Sequence, residues 1–257
     1  ETATGPNFPR QYTLTVDIAD GQTITDLTIT DVLPENVQFI GIDAGATTAG
    51  YSVTSTPSTS DPGGTLTLEY NSVTGGSGEE DVVVVFDFYI PRLDSSDGDV
   101  ISPTTGNDVD SNNIAWAQGE WDPKDTDDPT ETVSSDANCP TCPPAHTLQD
   151  KSIAIQKSVS ILGGGDPAPG KTLEYTLDFQ VSDFFAFDSL VVTDVISDGQ
   201  HVDATFVPTL QVDGNPYALA SADIASANYD IECSYSDPQG AECTIDDSAT
   251  GDGTTTL

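Results

Sequence analysis

The fold of this chain is decided by a stretch that occurs twice, LTITDV at residues 27–32 and LVVTDV at residues 190–195. A matching triplet, YTL, occurs at residues 12–14 and again at 175–177, so both matches are separated by the same 163 residues. In these stretches apolar residues alternate with polar ones, as expected of β-strands with one buried face. Two ungapped matches at one separation indicate an internal duplication of a β-rich domain.

The same alternation recurs along the chain, and no segment carries a convincing helical period. The 22 glycines and 17 prolines also interrupt the sequence too often for long helices. We predict an all-β chain made of two tandem immunoglobulin-like antiparallel β-sandwich domains. The predicted strands are Tyr12–Ile18, Leu27–Val32, Thr65–Tyr70, Val82–Ile90, Ile114–Trp116, Ser152–Val159, Leu173–Phe179 and Leu190–Ile196.

The duplication predicts a first domain over residues 1–121, an acidic linker containing Pro and Cys over 122–150, and a second domain over 151–257. The second copy reaches GTTTL at 253–257 where the first has GTLTL at 64–68, and the first has no counterpart of 152–159. We therefore expect the first copy to lack its first strand and the second its last strands. Such a chain is a fragment of a longer array or a subunit completed by strands from its neighbours.

The charge of the chain limits its partners. There are 43 acidic and 6 basic residues, which gives a formal net charge of −37. This charge disfavours binding to nucleic acids and to anionic membrane surfaces. No run of 18 apolar residues is present, so we expect no membrane insertion. An aspartate-rich chain of this kind fits a saline or calcium-bearing extracellular setting, at the cell surface.

The four cysteines form two close pairs, Cys139 with Cys142 and Cys233 with Cys243. We expect a disulfide within each pair, which implies an oxidising compartment. The segment Asp237–Gly240 carries a turn signal, so the second bridge would close a hairpin. A zinc site at the first pair is disfavoured, because only three soft ligands lie there.

Aspartates cluster in two predicted loops near strand ends, and loop carboxylates are ligands for Ca²⁺. They are candidate calcium ligands, although their spacing is not that of an EF-hand, and the alternative is a plain acidic loop. The candidates are Asp94, Asp97, Asp99, Asp108 and Asp110.

An enzyme is not predicted. Neither histidine, His146 or His201, lies in a recognisable catalytic motif. The glycines at 163–165 lie between two strands without a following helix, so they indicate a turn rather than a phosphate-binding loop. We expect no organic cofactor.

Four short motifs follow one another in the second copy: IAIQKSV at 153–159, Pro169–Gly170, LEYTL at 173–177 and VVTD at 191–194. In this order they resemble the immunoglobulin-like conserved-repeat domains of large bacterial surface proteins, including the isopeptide-forming fimbrial type. The resemblance covers residues 152–257 well and 12–121 moderately. It implies fold more specifically than function.

The resemblance also implies a crosslinking chemistry, in which a lysine on the first strand attacks an asparagine on the last, assisted by a buried acid. Lys157 and Asp194 match the lysine and the acid of the second copy, while Asp31 and Asn113 match the acid and the asparagine of the first. Neither copy contains all three groups, so no crosslink is expected within a copy. The alternative is a solvated lysine and a carboxylate that caps a turn.

The function predicted is that of a structural repeat in a secreted cell-surface adhesin or fimbria-like filament, with polymerisation by strand exchange between subunits. Its partners would be neighbouring copies or adjacent repeats. The alternative is a module that binds surface glycans or proteins through Trp116, Trp121 or the aromatic segment 184–187.

Overall fold

The computed structural model describes residues 3–78, 80–101, 109–121, 129–135, 146–168, 170–186, 193–196, 209–212, 215–217 and 253–256. All ladders between strands in these residues are antiparallel, and the described residues contain no helix. The all-β prediction is therefore confirmed. No helix long and apolar enough to cross a membrane is found in the described residues.

Residues 1–186 form one compact unit and residues 187–257 another. The described residues of the first unit form eleven strands. They are β1 (Arg10–Val16), β2 (Thr23–Leu33), β3 (Gln38–Ile42), β4 (Tyr51–Ser55), β5 (Gly64–Thr74), β6 (Val82–Tyr89), β7 (Val109–Trp121), β8 (Glu131–Ser134), β9 (His146–Asp150), β10 (Ile153–Ile161) and β11 (Leu173–Val181).

Nine of these strands build two sheets that share one hydrophobic core. The smaller sheet has the order β1-β6-β3, and the larger has the order β4-β5-β2-β7-β8, with β9 also paired to β7. We call these nine strands the two-sheet body. Strands β10 and β11 form a separate hairpin, in which Ile153 pairs with Val181 and Ile161 with Leu173.

The alternation in the sequence explains which residues enter the core. In β2, Leu27, Ile29 and Leu33 are buried on one face of the strand, as the period of two requires. In β6, Phe86 and Phe88 point to the same side and pack against core residues of both sheets. The two inner faces thus interlock as in a β-sandwich.

Strands β8 and β9 lie in the segment between 122 and 150, for which the sequence offers no core pattern. Each pairs with the long strand β7, and their Val133 and Leu148 pack against the core. Backbone pairing to a long neighbour stabilises these short polar strands, which side-chain alternation alone does not reveal. The predicted boundaries at 121 and 151 stay predictions about the repeat, while the compact unit extends to Ala186.

The second compact unit contains β12 (Thr193–Ile196), β13 (Leu210–Val212), β14 (Asn215–Tyr217) and β15 (Gly253–Thr256). Strand β12 corresponds to the end of β2 in the sequence repeat, and its pairing with β15 has the same register as the pairing of β2 with β5. The equivalent pairs are Thr193 with Thr256 and Thr30 with Thr67, then Ile196 with Gly253 and Leu33 with Gly64. Sequence repeat and strand register therefore agree at these positions.

Candidate functional site

A set of six polar side chains lies between the two sheets of the body, where apolar residues would be expected. We call this set the polar row. Two of its members come from β1, one from β2, two from β7 and one from β9: Arg10, Tyr12, Asp31, Ser111, Asn113 and Asp150. A buried group of this kind is a candidate site, because each polar atom needs a partner that the core does not supply.

The strand period positions these side chains. Ser111 and Asn113 are two residues apart on β7 and both are buried, so they share its inner face. Arg10 and Tyr12 are likewise two residues apart on β1. Asp31 occupies the position after Ile29 in the buried series of β2. The polar row is therefore built into the same faces that form the core.

Asp31 and Asn113 form the first contact of the row. The Asn113 amide Nδ2 donates to Asp31 Oδ2 at 2.7 Å, and the two residues are 0% and 3% exposed. The second carboxyl oxygen of Asp31, Oδ1, and the carboxamide oxygen of Asn113, Oδ1, have no hydrogen-bond partner among the described residues. Burial raises the pKa of Asp31 to about 7, although the hydrogen bond from Asn113 lowers it. The pair thus consists of the Asp31 carboxyl, which gains or loses a proton near neutral pH, and the Asn113 carboxamide beside it.

Asp150 forms the second contact of the row and is fully buried. Ser111 Oγ donates a short hydrogen bond to Asp150 Oδ2, and Arg10 Nη1 lies 3.4 Å from Asp150 Oδ1. Burial raises the pKa of Asp150 to about 6, against the opposing effects of Ser111 and Arg10, and nearby Asp110 raises it further. Burial also lowers the pKa of Arg10. Both shifts run against the charged pair, so desolvation outweighs the attraction across this long contact.

Tyr12 is the member of the row whose hydroxyl is affected by the charges of both acids. Its ring stacks on Phe88 with 4.4 Å between centroids, and the His146 ring is nearly perpendicular to it with 5.6 Å between centroids. Burial raises the pKa of its hydroxyl, and the charges of Asp31 and Asp150 raise it further. The hydroxyl is buried without a hydrogen-bond partner in the described residues. Tyr12 is thus a buried hydroxyl within electrostatic range of both acids.

Replacing Tyr12 with phenylalanine is expected to leave the free energy of unfolding unchanged or to raise it by about 1 kcal/mol, because it removes a buried hydroxyl that makes no hydrogen bond. Denaturant unfolding measures this change. The matched control is Tyr70→Phe, since the Tyr70 hydroxyl donates to the Thr48 carbonyl at 3.0 Å. A loss in Tyr12→Phe as large as in Tyr70→Phe would contradict the expectation.

The polar row is incomplete in charge and in hydrogen bonding. The row contains two carboxyl groups, Asp31 and Asp150, and one guanidinium, Arg10, which contacts Asp150. Among the described residues the buried oxygens Asp31 Oδ1 and Asn113 Oδ1 have no hydrogen-bond donor. A primary ammonium group has one positive charge and three N–H donors, so it complements these acceptors. Among the described residues β1 pairs with β6 alone, which leaves the other edge of β1 open to a strand that could deliver such a group.

The structure brings together two of the four predicted crosslink residues, Asp31 and Asn113. Lys157 lies on β10 opposite Leu177, with its Nζ 4.3 Å from the centroid of the Tyr175 ring. Asp194 lies in β12, where it pairs with Thr255. Arg10, Ser111 and Asp150 were not predicted from the sequence. For Asp150 the only local sequence signal is its alternation with Leu148, just before the predicted strand Ser152–Val159.

The aspartate loop that was a candidate for calcium binding is closed by its own hydrogen bonds. Asp94 Oδ1 accepts from the backbone N–H groups of Ser96 and Gly98, both at 2.8 Å. Asp99 lies 3.9 Å from Arg92, and both side chains are exposed. Asp97 has a positive φ of 63°, as in a tight turn.

Within the described ranges no group of three or more acidic, histidine or cysteine side chains is arranged to hold a metal ion. Asp110 lies exposed on β7. Five predicted residues lie outside the described ranges: Asp108, Cys139, Cys142, Cys233 and Cys243. The calcium site and both disulfides therefore stay predictions.

The aromatic candidates for ligand binding are placed as follows. Trp121 packs against the core, and its Nε1 donates to Gln22 Oε1 at 3.0 Å. Trp116 is half-buried and pairs with Thr30 across β7 and β2. Phe185 also packs against the core, and Phe187 lies outside the described ranges.

The chain matches no protein-family model, and no curated protein is significantly similar to it. The chemistry of the polar row and the repeat are therefore the basis for a functional proposal.

Proposed function

We propose that this chain is a structural repeat segment of a secreted, surface-exposed stalk or filament. In this proposal it consists of two tandem immunoglobulin-like β-sandwich domains. The first domain carries an acceptor site for an amide crosslink at Asp31 and Asn113. A strand from an adjacent repeat or subunit supplies the lysine, so the crosslink also joins neighbours. The observation that carries the proposal is the buried Asp31–Asn113 contact with one unpartnered oxygen on each side chain.

The register of the hairpin supports the position of the lysine. In the hairpin Lys157 is directly opposite Leu177, which corresponds to Leu14 in the sequence repeat. A strand added to the open edge of β1 in the same register would place its lysine opposite Leu14. Residues directly opposite each other in an antiparallel pair share a face, and Leu14 packs against the core. The lysine would therefore enter on the side of Tyr12 and the polar row.

The reaction at this site is an amide exchange. The neutral lysine Nζ attacks Cγ of Asn113 and forms a new C–N bond, while the bond from Cγ to Nδ2 breaks and ammonia leaves. Asp31 accepts the proton from the attacking amine and transfers a proton to the departing nitrogen. A pKa of about 7 suits a group that both accepts and donates a proton near neutral pH. Burial also favours the neutral amine over the ammonium.

A peptide of residues 152–162, SIAIQKSVSIL, tests the proposal, because it is the lysine strand of this chain itself. We expect the intact chain mixed with this peptide to form a covalent adduct. Its mass should equal the sum of the two masses less one ammonia, as read by intact-mass spectrometry. Fragmentation should locate the new bond between the peptide lysine and Asn113.

Three variants define this experiment. Asn113→Ala and Asp31→Ala should abolish the adduct, because they remove the electrophile and the proton carrier. Asn112→Ala should retain it, since Asn112 is the exposed neighbour on the same strand. A peptide with arginine in place of lysine should give no adduct. The absence of any adduct in the parent chain, or an adduct that persists in Asn113→Ala, would overturn the proposed crosslink.

The alternative of a glycan- or protein-binding module gains no support from Trp121, because its ring and its indole N–H are already engaged within the fold. It stays a prediction.

A further inference from the structure

The hairpin of β10 and β11 belongs to the second copy of the sequence repeat but lies in the compact unit of the first. Its covalent connection to the two-sheet body is short, since β9 ends at Asp150 and β10 begins at Ile153. A single connection of this kind fixes the position of one end of the hairpin but leaves the hairpin free to rotate about it. A second contact is required to fix its orientation.

Residues 3–7, which precede β1, supply such a contact, and we call them the strap. Ala3 forms a parallel bridge with Lys151, and its N–H donates to Gln180 Oε1 at 3.0 Å. The Thr4 hydroxyl lies 3.1 Å from the Lys151 carbonyl oxygen and 2.9 Å from Ser182 Oγ. The strap therefore contacts β11 at Gln180 and the residues that flank the open end of the hairpin, Lys151 before β10 and Ser182 after β11.

The remainder of the strap binds the segment that follows β11. The Asp183 N–H donates to the Thr4 carbonyl at 3.0 Å. In return Asn7 donates its backbone N–H and its side-chain Nδ2 to the Asp183 carboxylate, at 2.7 Å and 3.0 Å. Ala3, Thr4 and Ser182 are buried. The interface thus combines one buried hydrogen bond, from Thr4 to Ser182, with part-buried and exposed ones around it.

The strap is also tied to the polar row. Arg10 Nη2 donates to the Ala3 carbonyl at 3.2 Å, and the same guanidinium contacts Asp150 at the end of β9. One side chain thus joins the strap, the first strand of the body and the residue that leads into the hairpin. The Arg10 side chain therefore holds the strap close to the segment that connects β9 with β10.

Gly5 shows how closely the strap approaches the hairpin. Its φ is +125°, a conformation that L-residues rarely adopt, and a Cβ at this position would overlap the side chain of Asp183. Only glycine fits here without displacing one of the partners. The sequence of the strap is therefore matched to the surface it contacts.

We infer that the strap forms the interface between successive repeats. It binds the first hairpin of the following repeat to the body of the preceding one, and this contact makes the junction between the two repeats rigid. This inference rests on the repeat organisation proposed above but not on the amide crosslink. A rigid junction transmits tension through the hydrogen bonds of the strap and not through the chain segment between β9 and β10 alone.

The test is amide hydrogen exchange and ¹⁵N relaxation on the full chain. In the parent chain the Asp183 amide should be protected, and amides in β5 and β11 should report one common rotational correlation time. In Gly5→Ala and in Thr4→Val the Asp183 amide should exchange at least about tenfold faster, and β11 should report a shorter correlation time than β5.

Two controls match these variants. Gly50→Ala places a Cβ at another positive φ, +97°, where no atom lies within 4 Å. Thr13→Val makes the Thr4 change at an exposed position of β1. Both should behave as the parent chain does. The inference is overturned if Asp183 exchanges equally fast in the parent and in Thr4→Val, or if β11 tumbles independently of β5 in the parent. Neither result depends on whether the peptide of residues 152–162 forms an adduct, so the two proposals fail separately.

Discussion

Asp31→Asn is expected to remove a fall of about 3 kcal/mol in the free energy of unfolding, which Asp31 causes in the parent chain between about pH 5 and pH 8. Burial raises the pKa of Asp31 from 3.8 to about 7 in the folded chain. A raised pKa means that the folded state holds the proton more tightly than the unfolded state does. The stabilisation is therefore complete below pH 3.8 and is lost as the pH rises through 7.

The variant should consequently be more stable than the parent at pH 8 and similar to it at pH 5, because asparagine remains neutral at both. Asp150, with a pKa raised to about 6, contributes with the same sign over a narrower range. Denaturant unfolding at the two pH values measures the effect.

The control is Asp17→Asn, which removes one acidic charge from an exposed position just after β1. The comparison is needed because acidification also relieves the repulsion within a chain of net charge −37. Equal pH dependence in Asp31→Asn and Asp17→Asn would show that Asp31 is not held in a buried, proton-retaining environment.

Phe86→Ala is expected to lower the free energy of unfolding by about 3–5 kcal/mol, which is a large part of the stability of a typical domain. Phe86 is fully buried in the middle of β6. Its ring contacts those of Tyr12, Phe39 and Phe88, with centroid distances of 5.6, 6.0 and 6.5 Å. Removing it leaves a cavity between the two sheets and separates three aromatic neighbours.

The matched control is Val53→Ala on β4, since Val53 is 44% exposed. This change should cost less than about 1 kcal/mol. Thermal and denaturant unfolding of the full chain measure both variants. If Phe86→Ala lost no more stability than Val53→Ala, the two sheets would not share the core described here.

The strands with strong alternation were predictable: the structure has a strand at seven of the eight predicted positions, and for the eighth, Leu190–Ile196, it describes the part Thr193–Ile196 as β12. Strands such as β8 and β9 were not, because their few apolar residues carry no period and their stability comes from pairing with β7. Pairing of this kind joins residues far apart in sequence, which a local pattern cannot report.

The candidate site likewise has residues that could be predicted from the sequence and residues that could not. Asp31 was predicted through the repeated Thr-Asp motif, which the resemblance matches to a buried acid. Its contact with Asn113 followed only from a resemblance to other surface-protein repeats. Arg10 and Ser111 had no sequence signal, and Asp150 had only its alternation with Leu148, since the three residues lie on different strands and meet only when β1, β7 and β9 are assembled.

The sequence by itself determined the repeated stretches and the all-β class, since both follow from local periodicity and from self-similarity. The tertiary structure decided the order of strands in the sheets, the second buried acid and the contact between the strap and the hairpin. These depend on burial, which removes water from polar groups, raises the pKa of Asp31 and Asp150 and makes each hydrogen-bond partner matter. Burial is a property of the assembled sheets, and no single strand of this chain contains it.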